Sequence, residues 1–110
     1  MHLSTDIWAS ALIRRAELAG AFATVIRKGD TRAGAVLVKV LNRPQGTARL
    51  YAEATRLDGE RVWMQPARSD REPELDAYIE RAARIDPDLW VVEIDDREGR
   101  HFLTEPVEKD

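Results

Sequence analysis

A chain of 110 residues with 44% hydrophobic and 34% charged side chains can fill one core and solvate its surface, which excludes wholesale disorder and a second full-sized domain. The lack of any cysteine excludes disulfides, thiolate nucleophiles, iron–sulfur clusters and sulfur-ligated zinc. The net charge of −3 is uneven, with 11 basic and 6 acidic side chains in residues 1–68 against 6 and 14 in residues 69–110, a division that suits two halves attracting each other within one fold.

No apolar run approaches the length that crosses a bilayer, so no membrane partner is expected. The opening Met1-His2-Leu3-Ser4-Thr5-Asp6 lacks the basic-then-apolar pattern of a secretory signal, and the expected location is cytoplasmic. The first element is a helix over Ile7–Ala19, capped by Ser4 or Thr5, favoured by Asp6 at its positive end and stopped by Gly20. Phe22–Arg27 reads as a strand, Lys28–Gly34 as a hairpin loop whose glycines supply positive φ, and Ala35–Leu41 as the most strand-like run in the chain.

After the break at Asn42–Thr47, Arg49–Arg56 alternates, with Leu50, Ala52 and Ala54 on one face. Asp58-Gly59 suits a two-residue type I′ turn leading into Arg61–Gln65. Pro73 fits the first turn of a second helix, in which Leu75, Tyr78, Ile79, Ala82 and Ala83 recur at helical spacing until Asp86-Pro87. Leu89–Ile94 and Arg100–Leu103 then read as a strand and its short return, with residues 104–110 frayed.

The expected fold is therefore one α+β domain over residues 1–110, a mostly antiparallel sheet with two helices in the order α-β-β-β-β-α-β-β. The Ala35–Leu41 strand is apolar on both faces apart from Lys39. Two helices on opposite faces, a strongly curled sheet or a homodimer would each cover it.

Chemistry is narrowed mainly by exclusion. Gly29–Gly34 precedes a strand and lacks the Gly-Lys-Ser/Thr ending of a phosphate-binding loop, and no glycine triplet opens a helix. His2 and His101 are the only imidazoles, so no metal set and no cofactor site is expected, and no serine sits in a nucleophile-elbow context. A nuclease-like reading would use Glu53-Ala54-Thr55 and Glu93-Ile94-Asp95, yet the lysine such enzymes need is missing. Other enzymes would have to work with arginine and carboxylates alone. No catalytic residue is assigned.

The residues also resemble a known family. Thr5-Asp6-Ile7-Trp8 with Arg14-Arg15 and Glu17-Leu18-Ala19-Gly20 is similar to the bacterial family of unknown function numbered 1491. Arg27-Lys28-Gly29-Asp30, Ala33–Lys39, Arg81-Ala82, Asp86–Asp95 and His101-Phe102-Leu103 carry the similarity across nearly the whole chain. The resemblance implies an alphaproteobacterial, cytosolic protein and supplies no activity.

The working reading is a non-enzymatic binding or protein-interaction domain. The alternative is a nucleic-acid module on the basic N-terminal half, in which Arg27, Lys28, Arg32, Arg43, Arg49 and Arg61 form a stripe beside Tyr51 and Trp63, paired across the hairpin as a stacking platform. A last candidate is Arg15. At about 100° per residue it falls between Ile7, Ala11 and Leu18 on one side and Trp8, Leu12 and Ala19 on the other. A guanidinium in an apolar stripe must snorkel out or be paired, either with Glu53 or Glu93 or with a ligand anion beside Trp8.

Overall fold

The computed structural model describes residues 4–108. Its elements are α1 (Thr5–Leu18), β1 (Phe22–Arg27), β2 (Val36–Asn42), β3 (Thr47–Thr55), β4 (Arg61–Met64), α2 (Glu72–Ile85) and β5 (Trp90–Asp95). The strands form one sheet in the order β1-β5-β2-β3-β4. The class is α+β, but the sheet is mixed: β5 runs parallel to β2, and the other neighbouring pairs are antiparallel. Short turns set the β2-β3-β4 meander. The α2 connection is long enough to return the chain across the sheet, and it inserts β5 beside β2 in the same direction.

That insertion changes the role of the glycine-bracketed loop. Residues 28–35 do not close a hairpin; they cross the start of β5. A Cβ on Gly29 would lie 2.0 Å from the Asp88 carbonyl oxygen, and one on Gly34 would lie 2.2 Å from it. Neither glycine has positive φ. They are needed for close approach of two backbones. The crossing is bonded by Asp30 N–H to Asp88 O at 3.1 Å and by the buried Trp90 indole N–H to Asp30 O at 2.6 Å.

The two helices cover opposite faces. Trp8, Ala9, Leu12 and Ala16 of α1 pack with Val36, Val38, Val40, Val92 and Ile94. Leu75 of α2 packs with Leu37, Leu41, Leu50 and Val91. This is why β2 is apolar on both sides; each fully buried aliphatic side chain stabilises by about 1.5–3 kcal/mol. On α1 the buried set is Thr5, Trp8, Ala9, Leu12 and Ala16, whereas Ile7 and Leu18 are exposed. The apolar stripe is narrower than expected, and Arg15 lies at its edge. Its Nε and Nη2 donate to the Phe102 carbonyl oxygen at 3.2 and 3.0 Å. The expected pairing with Glu53 or Glu93 does not form, because those carboxylates already hold Arg61 and Lys39.

Three local expectations are corrected. Ser4 occupies the N-cap position of α1 without a side-chain cap bond; the loop carbonyls of Thr31 and Arg32 take the first helical N–H groups instead. The β3–β4 hairpin closes through Leu57–Gly59: Gly59 N–H donates to Arg56 O at 2.9 Å and Arg56 N–H to Glu60 O at 2.8 Å. Only Gly59 there has positive φ, which is a type I turn followed by a glycine bulge, so Trp63 faces Glu53 rather than Tyr51. Residues 100–103 are irregular rather than a strand, with Phe102 in the left-handed region at φ 60°. Arg15 and the Arg100 guanidinium, 5.0 Å from the Phe102 ring centroid, hold that segment. Trp63 N–H donates to Pro106 O at 2.8 Å and Glu108 N–H to Trp63 O at 2.7 Å, so residues 106–108 line the outer edge of β4.

Two buried charges organise the surface around this core. Lys39, 4% exposed, places Nζ 2.7 Å from Asp76 and 2.9 Å from Glu72 on α2, and 3.1 Å from Glu93 on β5. Burial alone would push its pKa down, but the hydrogen bonds to the three carboxylates outweigh that and raise it above the usual lysine value. Asp96, 3% exposed, accepts from Arg100 Nε and Nη2 at 2.9 Å each, and from the Arg100 and Glu98 backbone N–H groups. The Arg100 side chain chiefly holds its pKa down to about 2, against the opposing effect of burial.

Lys39→Met leaves three carboxylates without their cation and should cost about 2–4 kcal/mol in urea unfolding, discounted because Glu72 and Asp76 are half exposed. Adding Glu93→Gln should recover part of that loss. The Lys39 contribution is complete at neutral pH and declines only above about pH 10.4, where the unfolded chain loses its proton and the folded one keeps it. Asp96→Asn should cost about 1–2 kcal/mol above pH 4. Because the folded pKa is depressed, the difference from the parent chain should vanish as pH falls toward 2, as followed by unfolding at stepped pH.

Candidate ligand cleft

One cleft of about 580 Å³ opens at the end of the sheet where α1 begins, lined by Thr5, Trp8, Arg32, Gly34, Glu53 and Arg61 among others. Three chain segments far apart in sequence build it. The first turn of α1 supplies Thr5 and Trp8. The loop that crosses β5 supplies Arg32 and Gly34, and is stitched to α1 through Gly34 N–H to Thr5 Oγ1 at 3.3 Å and Asp6 N–H to Thr31 O at 3.2 Å. Asp30 holds the loop from the other side by accepting from the Arg32 and Ala33 N–H groups. The β3–β4 hairpin supplies Glu53 and Arg61, adjacent to Val36 through the β2–β3 register.

The floor is aromatic. Trp8 stacks on the fully buried Trp63 with ring centroids 5.4 Å apart, an arrangement that contributes about 0.5–1.5 kcal/mol beyond burial. Trp63 Nε1 is anchored by Glu105 at 3.0 Å. Above it, Arg61 Nε lies 3.1 Å from Glu53 Oε2. Burial raises the Glu53 pKa, Arg61 opposes the rise, and Glu105 adds to it. Arg32 is exposed and, among the described residues, its guanidinium has no hydrogen-bond or ion-pair partner. Two guanidiniums thus line the cleft against one carboxylate.

Of the residues expected to act, Trp8, Arg32 and Arg61 line this cleft, and Trp63 lies beneath Trp8. Arg15 does not line it; its guanidinium is bonded to Phe102. The arginines of the basic half have separate fates. Arg43 pairs with Asp95, Arg27 donates to Pro87 O at 3.2 Å, and Arg49 and Lys28 are exposed. Tyr51 and Trp63, 5% and 0% exposed, are core side chains and present no face on which a base could stack. Basic residues of the first half repeatedly meet acids of the second, as at Lys39, Arg43 and Arg56.

The nuclease-like pair separates as well, since Glu53 lies on the α1 face and Glu93 beside α2. His101 accepts from Leu103 N–H through Nδ1 at 2.9 Å and packs edge-on to Tyr51, and burial lowers its pKa. His2 lies outside the described residues. Among those residues no group of three or more His, Asp or Glu side chains could hold a metal ion, and no helix is long and apolar enough to cross a membrane. Sequence reasoning missed Thr5 and Gly34 as lining residues. Thr5 reads only as a cap and Gly34 only as a turn until the loop is placed against α1.

Comparison with known proteins agrees on the fold. A crystal structure of a DUF1491 family protein from Caulobacter crescentus CB15 is 78% identical, with a TM-score of 0.96 over 97% of this chain and 100% of that one. An NMR structure of a DUF1491 family protein from the same organism is also 78% identical, with a TM-score of 0.93 over 99% of each chain. The solution structure of protein Atu0922 from A. tumefaciens is 36% identical, with a TM-score of 0.83 over 99% of this chain and 98% of that one. No protein with a curated description matches. The family model described as "Protein of unknown function (DUF1491)" matches residues 3–104, and the chain belongs to that family.

Proposed function

We propose that the chain is a cytoplasmic, non-enzymatic binding domain whose cleft takes a small ligand through a phosphate or carboxylate group. The observation that carries this reading is Arg32: a guanidinium on the rim of a built cleft with no partner of its own among the described residues. Guanidinium is a planar fork suited to bidentate contact with either anion. Arg61 stands across the cleft, steadied by Glu53, and can share an incoming anion. The volume of about 580 Å³ falls in the range of small-molecule sites, and Trp8 adds an apolar wall. The nucleic-acid alternative loses Tyr51 and Trp63 as stacking faces, and its Arg43 is paired with Asp95.

Thermal unfolding with added inorganic phosphate or succinate, each against sodium chloride at matched ionic strength, tests the site and separates the two anion classes. A ligand at a hundred times its Kd adds about 2.7 kcal/mol to the native state, and the melting temperature should rise accordingly. Arg32→Ala should abolish the rise while leaving the ligand-free melting temperature unchanged, because that side chain holds nothing in the fold. No rise with either anion, or an equal rise in the variant, would reject the cleft.

A further inference from the structure

The sheet has two outer strands, and they are treated differently. The C-terminal segment lines β4 through the bonds of Trp63 with Pro106 and Glu108. Nothing among the described residues pairs with the outer edge of β1. Open edges invite pairing and are ordinarily blunted by proline, by lysine within the strand or by a covering segment. β1 reads Phe-Ala-Thr-Val-Ile-Arg, with Phe22 76% and Ile26 47% exposed and one bulge between Val25 and Arg27. Leu18, 76% exposed, ends the helix that leads into it.

The charges along this edge identify the occupant. Its start is acidic: Glu17 lines a groove with Phe22, whereas Asp95 beside it is already paired with Arg43. Its end is basic, with Arg27 followed by the exposed Lys28. The Arg27 Nε is buried without a hydrogen-bond partner. A strand acidic at one end and basic at the other is complementary to itself run antiparallel. We propose that β1 pairs with β1 of a second copy of this chain about a two-fold axis near Thr24, extending the sheet across the interface. Each copy's Lys28 then meets the partner's Glu17, and Phe22 and Ile26 of both copies pack together on the face that α2 leaves uncovered. The contact is isologous, so it closes at a dimer and does not propagate.

Sedimentation equilibrium over a range of concentrations tests this directly. The parent chain should fit a monomer–dimer equilibrium that weakens as salt is added. Ile26→Lys should give a monomer with an unchanged circular dichroism spectrum, since the side chain is exposed in the single chain. Lys28→Glu and Glu17→Lys should each weaken the dimer about tenfold or more, and the double variant should restore it by exchanging the charges. A parent chain that stays monomeric at every concentration overturns the proposal, as does a dimer that neither Ile26→Lys nor the single charge reversals disturb.

Discussion

The entry of β5 between β1 and β2 is the constraint on which the rest of the molecule depends. It makes β2 and β5 the central strands, which is why Val38, Val91, Val92 and Ile94 have no exposed surface. It obliges the β1–β2 connection to cross the start of β5, and that crossing is possible only if Gly29 and Gly34 carry no side chain. The loop so held is one wall of the cleft, and its carbonyls receive the first N–H groups of α1. A single topological choice therefore places the site's loop, helix start and strand ends together. Trp90, buried beneath the loop with its N–H on Asp30 O, links that choice to the core.

Lys39 shows how the same topology handles charge. A lysine on a central strand must reach polar partners, and β5 and α2 bring three carboxylates to one ammonium. All three come from the acidic second half, as do the partners of Arg43 and of one Arg56 contact. The division of charge along the chain is thus largely an internal pairing between halves that the α2 crossover folds against each other. A buried ion pair adds less stability than its Coulomb attraction implies, because both charges lose water. Its stronger effect is on register. An α2 displaced along the sheet would leave Lys39 without Glu72 and Asp76, and the ladder of β2 with β5 sets Lys39 directly beside Glu93.

Elements were legible in the sequence where the signal is local. The β2 run of β-branched and aliphatic residues, Pro73 in the first turn of α2 and Asp86-Pro87 after it all mark what the structure contains. The covering of both β2 faces was also legible, since seven residues in succession offer only Lys39 to water. The parallel β2–β5 pairing was not, because nothing in either strand specifies which neighbour an intervening helix will select. Tyr51 misled for a related reason. Alternation assigns it to the polar side of β3, yet that side lies under α1 and buries it. Arg100–Leu103 has the composition of a strand and is irregular, with the Phe102 carbonyl bonded by Arg15 from a distance of 87 residues in the chain. The cleft was half legible: Trp8, Arg32 and Arg61 stand out as residue types, but only the loop's docking on α1 and the β2–β3–β4 register bring them to one place.

Three arginines show how the surroundings of a guanidinium decide what it can do. Each guanidinium has five N–H donors, and its surroundings decide what remains for a ligand. Arg15 uses Nε and Nη2 on a carbonyl that the left-handed Phe102 turns toward it, so its removal is a matter of folding. Arg61 is matched by Glu53, whose pKa burial raises and Arg61 opposes. Arg32 is matched by nothing among the described residues, and its loop is fixed by Asp30, Thr5 and Gly34 without its help. A rigid backbone carrying an uncommitted cation is organised before any ligand arrives, so an anion that binds there orders little that is not already ordered. Sequence composition cannot separate these three roles, because they differ only in the acceptors that tertiary structure leaves within reach.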